Sequence, residues 1–275
     1  MTRRQKRCIA PLAIAALMIP SLAQATWSVV AIDRKTKTIV ISTATCVSAA
    51  GLAERGGLKS IQAVVVPGFG VAAAQAAVDS SRANQQLIYD ELMKGTPPSD
   101  ILALLKADPA IASRQFGIID MQGRSAGWSG GGNRAVSLDV QGQVSGTEIF
   151  FSIQGNILAK TEVVTDAVAA FKATTGSLTD RVMAAMEAAD KQGGDSRCTC
   201  DSATKPPVAA LVCSSKHAHV AYLLRSEATD KTGPKYQEGE YSLFIDVTDQ
   251  NITKDEDANP VKTLRMRYDA SKKKG

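Results

Sequence analysis

The chain has 275 residues, of which 44% are hydrophobic and 21% charged, with 32 Lys and Arg against 27 Asp and Glu. That length and apolar content suffice for one sizeable core, and no linker-like stretch divides the middle, so a single domain over residues 26–275 is expected, its C-terminal part from about 214 the least clearly patterned. The positive excess sits at the start: residues 1–25 hold Arg3, Arg4, Lys6, Arg7 and no acid, which leaves 28 basic against 27 acidic residues, a net +1, and no case for a nucleic-acid or anionic-membrane partner.

Residues 1–25 read as an export signal. A basic Arg3-Arg4-Gln5-Lys6-Arg7 precedes an apolar run, residues 8–20, that falls short of the roughly 20 residues a spanning helix needs. Ser21-Leu22-Ala23-Gln24-Ala25 then places small residues where a signal peptidase reads. The expected product is a periplasmic or secreted chain beginning at Thr26; a cut after Ala23 meets the same rule and would begin it at Gln24. An N-terminal Thr carries a hydroxyl and, on the same residue, an amine with a pKa of about 7.7 to 8.0. Nucleophile and base are then one residue, an arrangement that some hydrolases use.

From Thr26 the chain alternates apolar and polar to Asp33, and residues 37–45 do so again after the turn Asp33-Arg34-Lys35-Thr36, which predicts a hairpin. Residues 61–66 read as a buried strand ended by Pro67-Gly68, and the small residues 72–77 suit either strand or helix. Apolar spacing then predicts a helix from about Ser81 to Gly95. A second follows, with Thr96-Pro97 as cap and first-turn proline and Ile101, Leu102, Leu104 and Leu105 inward. Residues 113–120 and 124–129 predict another hairpin. Gly130-Gly131-Gly132 lacks the Lys and helix of a phosphate cradle.

Residues 149–153 read as a strand running into Gln154-Gly155-Asn156, residues 162–175 and 178–191 as amphipathic helices, and 208–213, 219–224 and 241–247 as strands before a last helix over 260–268. Hairpins interleaved with helix pairs argue for an α+β fold rather than a regular parallel α/β one. Cys8 leaves with the signal, so Cys46, Cys198, Cys200 and Cys213 remain, an even number that favours two disulfides in an exported chain. Cys198 and Cys200 are too close to bond each other easily. Each is expected to reach Cys46 or Cys213, tying the first hairpin region to the loop after Gly194 with roughly 4 to 5 kcal/mol per bond in the chain-entropy model. A zinc site is the weaker rival, with only His217 and His219 nearby.

Four blocks now stand in a recognisable order: Thr26-Trp27-Ser28-Val29-Val30-Ala31-Ile32-Asp33, Arg114-Gln115-Phe116-Gly117-Ile118-Ile119-Asp120, Gln154-Gly155-Asn156-Ile157-Leu158 and Gly193-Gly194-Asp195-Ser196-Arg197. Together they resemble the domain of unknown function 1028 family, placed among the N-terminal-nucleophile hydrolase folds. The resemblance spans about Thr26 to Cys213 and implies a four-layer αββα sandwich. It departs from the family pattern around residues 46–61 and 199–207, where the cysteines lie. No settled activity comes with the family, and some relatives carry cell-wall-binding modules.

Chemistry and resemblance together single out Thr26 as nucleophile, with the Gly155 amide or the Asn156 side-chain amide as oxyanion donor. Asn156 also suits an ordinary turn after a glycine. Asp33, Arg114 and Asp195 would orient the amine or bind a substrate carboxylate, or else form a buried ion pair of Arg114 with Asp33 or Asp195. His217-Ala218-His219 puts two imidazoles on one strand face with no third ligand in view, and the dipeptide Gly146-Thr147 is a weak alternative cleavage point. The expected function is an exported amidohydrolase acting on a small peptide, a peptidoglycan fragment or an acyl-amide, with no cofactor or metal. The alternative is a non-catalytic binding or scaffold protein that keeps the fold.

Overall fold

The two alternating segments form the strands β1 (Thr26–Asp33) and β2 (Thr38–Thr45) in the computed structural model, which describes residues 26–198 and 216–273. Their turn is closed by the Asp33 carboxylate, which accepts from the amides of Lys35 and Thr36. Two short helices follow, α1 (Ala49–Ala53) and α2 (Gly57–Gln62), then β3 (Ala63–Val66) and β4 (Gly70–Ala76). Next come α3 (Ala83–Lys94), stopped by a left-handed Gly95, and α4 (Pro98–Leu105). The strands β5 (Arg114–Asp120), β6 (Ser125–Ser129), β7 (Leu138–Gln143) and β8 (Ile149–Asn156) lead to α5 (Glu162–Ala173) and α6 (Leu178–Lys191). Beyond residue 216 lie β9 (Val220–Ser226), β10 (Leu243–Thr248) and α7 (Pro260–Lys272).

The strands make two antiparallel sheets, one ordered β10-β9-β2-β1-β8-β7 and one ordered β3-β4-β5-β6. With seven α-helices among the described residues, this is an α+β protein. The alternation of β1 explains how the parts assemble. Trp27, Val29 and Ala31 face outward from the six-stranded sheet and join a core with Val163, Ala167 and Phe171 of α5, Val182, Met183 and Met186 of α6, and Val261 and Leu264 of α7. Val30 and Ile32 face the other way, with Ile39 and Ile41 of β2, and meet Val65, Val71, Ala73 and Ile119 of the second sheet. The far side of that sheet, Val64, Ala72, Phe116 and Ile118, packs on Ile88 and Leu92 of α3 and on Ile101 and Leu105 of α4. Each such Val, Leu, Ile, Met or Phe side chain, fully buried, contributes about 1.5–3 kcal/mol against the ordering of the chain.

Several boundaries differ from the sequence reading for local reasons. Leu58 and Ile61 are buried at helical spacing, so the expected strand at 61 begins instead at Ala63. Of residues 72–77, all but Ala77 resolve as strand because β4 is buried on both faces and lies between β3 and β5. The cap of α4 is Pro97, since the Thr96 hydroxyl donates to Glu91, and Leu104 faces solvent. β7 went unpredicted because it is half-exposed and interrupted by Gly142. The expected strand over 208–213 and the cysteines Cys200 and Cys213 lie outside the described residues. No helix among the described residues is long and apolar enough to cross a membrane.

In the space between the sheets the side chains of Gln154 and Ser152 lie so close to β5 that it has no room for a side chain at Gly117. A Cβ on Gly117 would sit 2.2 Å from Gln154 Oε1 and 2.5 Å from Ser152 Oγ. Gly117→Ala should therefore cost about 1–3 kcal/mol, the range for overpacking a filled interior. Gly131→Ala, where the new methyl meets nothing within 4 Å, should change little. Urea midpoints of the two variants check this; equal stabilities would mean the sheets can part without penalty.

Candidate functional site

Thr26 lies at the end of β1, opposite Thr45 on one side and Asn156 on the other. Residues directly opposite in an antiparallel pair share a face, so all three side chains point into the space between the sheets. All are buried, and the Thr26 and Thr45 hydroxyls stand 3.4 Å apart. Ser28, two residues along, is flanked in the same way by Thr43 and Gln154. This end of β1 is polar where its other end, Val30 and Ile32, is apolar.

The second sheet meets that polar end with two glutamines, Gln75 of β4 and Gln115 of β5, both buried. Their orientation can be deduced. Gln115 Nε2 reaches the carbonyls of Gly155 (2.8 Å) and Leu138 (3.2 Å), which can only accept. Gln115 Oε1 must then face donors, and it takes Gln75 Nε2 at 2.7 Å and Asn156 Nδ2 at 3.1 Å. Gln75 Nε2 also donates to the Thr26 carbonyl at 3.2 Å, while its Oε1 accepts from Ser28 Oγ (2.6 Å) and Gln62 Nε2 (3.0 Å). Gln62 Oε1 accepts in turn from the Thr43 hydroxyl and the Tyr222 phenol, which burial pushes well above the usual tyrosine range and so keeps as a donor. One assignment satisfies the whole relay. It leaves Asn156 Oδ1 buried and, among the described residues, without a hydrogen-bond partner.

The remaining predicted residues fall in three places. Gly155 is beside Asn156; its Cα faces outward beneath Leu158, and its carbonyl is one of those held by Gln115. Asp195 is fully buried near the same end of the sheet, where its carboxylate accepts from the Cys46 amide and pairs with Arg197 at 2.7 Å. Cys46 directly follows Thr45 and is bonded to Cys198, so this disulfide joins the first hairpin to the loop after Gly194 and closes a 152-residue separation. A loop that long is worth about 5 kcal/mol in the chain-entropy model. Asp33 and Arg114 are elsewhere. Asp33 is at the opposite end of β1, roughly 23 Å from Thr26 at about 3.3 Å per residue.

Arg114 does not form the ion pair expected with Asp33 or Asp195. It pairs with Asp108 at 2.8 Å and donates to the Ala77 carbonyl, because the turn before β5 brings that acid alongside its guanidinium. The Gly130 and Gly132 amides are spent on the carbonyls of Arg114 and Ala112. His217 and His219 do not share a strand face: His217 turns to Asp190, and His219 lies 3.8 Å from Asp249. Gln62, Gln75 and Gln115, which organise the site, were not among the predicted residues. For Gln75 and Gln115 the signal was a glutamine set in an apolar strand, as in Ala72-Ala73-Ala74-Gln75-Ala76, whereas Gln62 ends the helix α2.

The model of the family described as "Family of unknown function (DUF1028)" matches residues 26–232. The chain belongs to this family. A solved DUF1028 structure, the protein SPO2555 from Silicibacter pomeroyi, is similar to it with a TM-score of 0.62 and 20% identity, over 90% of this chain and 89% of that one. No curated protein matches the chain significantly. At that identity the DUF1028 neighbour speaks for the fold alone. The start of the family match coincides with Thr26.

The deduced amide orientation is open to a direct check. Gln75→Glu would turn an acceptor toward the Thr26 carbonyl and Gln115 Oε1, so the new carboxyl must stay protonated to donate, and its folded-state pKa should rise above its unfolded value near 4.3. A raised pKa gives stability that is complete below about pH 4 and lost as pH rises through the folded value. The variant's deficit against the parent in urea unfolding should therefore widen from pH 4 to pH 8. A deficit that does not change with pH would mean that the side chain at this position need not donate to the Thr26 carbonyl.

Proposed function

We propose that this protein is an exported N-terminal-nucleophile amidohydrolase, with residues 1–25 removed as a signal and Thr26 as the nucleophile, on a four-layer αββα sandwich. The packing of α5, α6 and α7 on the outside of one sheet and of α3 and α4 on the outside of the other supports the layering. The observation that carries the reading is the setting of Thr26. It is the first residue of an inner strand, its hydroxyl buried between the sheets and its carbonyl fixed by Gln75.

The chemistry follows from that position. A cut after Ala25 turns the peptide nitrogen of Thr26 into an amine, and Asn156 Oδ1, an open acceptor on the residue opposite, is suited to take one of its N–H groups. The amine removes the hydroxyl proton through a bridging water, and Oγ1 attacks the amide carbonyl carbon. The oxyanion is stabilised by the second N–H of Asn156 Nδ2 or by the Gly155 amide. The C–N bond then breaks, the leaving nitrogen takes the proton, and a second water hydrolyses the Thr26 ester to release a carboxylic acid. Asp195 serves as a positioning residue through its bonds to the Cys46 amide and Arg197. Asp33 and Arg114 have no part in this scheme. The substrate class is a small peptide, a peptidoglycan fragment or an acyl-amide, and the compartment is the periplasm or beyond.

Sequencing the N-terminus of the exported protein should return Thr26; a start at Gln24 or Met1 would end the catalytic reading. Incubation with electrophilic amide and lactone probes should then place one adduct on Thr26 by mass mapping. That adduct should vanish when one residue is added before Thr26 and in Thr26→Val. Labelling elsewhere, or none across a broad probe set, would leave the binding protein that keeps the fold without the reaction.

A further inference from the structure

On the outer, helical side of the six-stranded sheet lies a cleft of about 410 Å³ between the last turn of α6 and the first turn of α7. It opens on the face of the sheet opposite Thr26, and although the His217 carbonyl accepts from the Asp195 amide, the His217 ring has no part in the reaction proposed above. His217 borders it with 24% of its side chain exposed. The ring is held from behind: Nδ1 lies 3.2 Å from Asp190 Oδ1, and Asp190 is fixed by Asn259 Nδ2, which donates to both carboxylate oxygens at 3.0 and 2.8 Å. Asn259 is 1% exposed, and its Oδ1 caps α7 by accepting from the Val261 amide.

Every polar side-chain atom of this triad except one is committed to a partner. Because Asp190 accepts, Nδ1 carries a proton, and the open position is Nε2. The bond to Asp190 raises the His217 pKa above its ordinary value, the burial of the ring opposing it less strongly. Lys191 and Lys262 stand at the rim, the latter 3.7 Å from Asp257, and the first turn of α7 adds its partial positive charge. Two acids share the lining, Asp190 and Glu187, the latter paired with Arg265 at 2.7 and 2.9 Å. Those two acids penalise a second negative charge on any ligand, so a monoanion suits the site better than a dianion. Val261 offers an apolar wall for a short tail.

We infer that this cleft binds a small monocarboxylate, with His217 Nε2 and Lys191 Nζ on the carboxylate and Val261 against its tail. A volume of a few hundred Å³ suits such a ligand. The chain has two histidines, so proton NMR of the imidazoles reads the site directly, with His219 as an internal control. Acetate, butyrate and benzoate, added to the full exported protein at constant ionic strength, should move the His217 signals to saturation, leave those of His219 in place and raise the His217 pKa. Inorganic phosphate, largely dianionic at pH 7.5, should bind more weakly. Calorimetry with benzoate should show a roughly threefold weaker affinity in Lys191→Gln, the scale of one exposed charge, and a loss of about tenfold or more in His217→Gln, the scale of a charge-assisted hydrogen bond. Thr26→Val should bind benzoate as the parent does, which keeps this result separate from the fate of the hydrolase reading. Unsaturated shifts, equal movement of both histidines, tighter binding of phosphate, or an unchanged affinity in Lys191→Gln would overturn the assignment.

Discussion

Two buried glutamines, Gln75 and Gln115, set the geometry of one end of this molecule. A buried amide is costly unless its donor and acceptor sides are both met, and each of these has two partners on its oxygen and more than one on its nitrogen. Apolar contact between sheets tolerates sliding, but these bonds do not. A slip of β1 by one residue would send Ser28 toward the helices and Trp27 between the sheets, costing Gln75 and Gln154 their bonds to the Ser28 hydroxyl. The register that places Thr26 opposite Thr45 and Asn156 is thus specified by hydrogen bonds as well as by burial.

The inter-sheet space is divided along the strands between stability and specificity. Val30, Ile32, Ile39 and Ile41 fill one half with side chains whose contribution is non-directional. The other half is a continuous polar network, which runs on from Ser28 through Gln154 and Ser152 to Gln141. It fits because the facing strands carry Gly117 and Gly127, where a Cβ would fall about 2 Å from the side chains seated there. Such a network gains little net energy over water. What it supplies is a single arrangement of polar atoms around Thr26, which a site for chemistry requires.

Much of this was readable in the chain because it is local. The β1–β2 hairpin follows from period-two alternation and an Asp-led turn, and the helices α3, α5 and α6 follow from apolar spacing and their flanking residues. Thr26 and Asn156 stood out by residue type, and they are neighbours. What stayed hidden depends on tertiary pairing. Asp33 and Arg114 were charges in apolar blocks, yet each is satisfied by residues close in sequence, the turn amides in one case and Asp108 in the other. Gln75 and Gln115 carry no charge, and their meaning comes from strands that meet only in the folded sheet pair. The Asp190–His217–Asn259 triad is likewise assembled from three separate stretches.

The order around Thr26 also depends on the sheet's other face. Trp27, the next residue, turns outward, and its ring lies against Gly194, whose missing side chain would come within 2.6 Å of it and 3.0 Å of His217 Cβ. Gly194 has a φ of 50°, a left-handed conformation that glycine adopts without strain. The chain leaving it is fastened at once, by the Asp195 carboxylate on the Cys46 amide and by Cys198 on Cys46 itself. Residues 194–198 therefore clasp the ends of β1 and β2 from outside while Gln75 and Gln115 hold them from inside. An end of a strand is ordinarily where a sheet frays. Here the start of β1 is secured on both faces, from inside by Gln75 on the Thr26 carbonyl and from outside by Gly194 against Trp27.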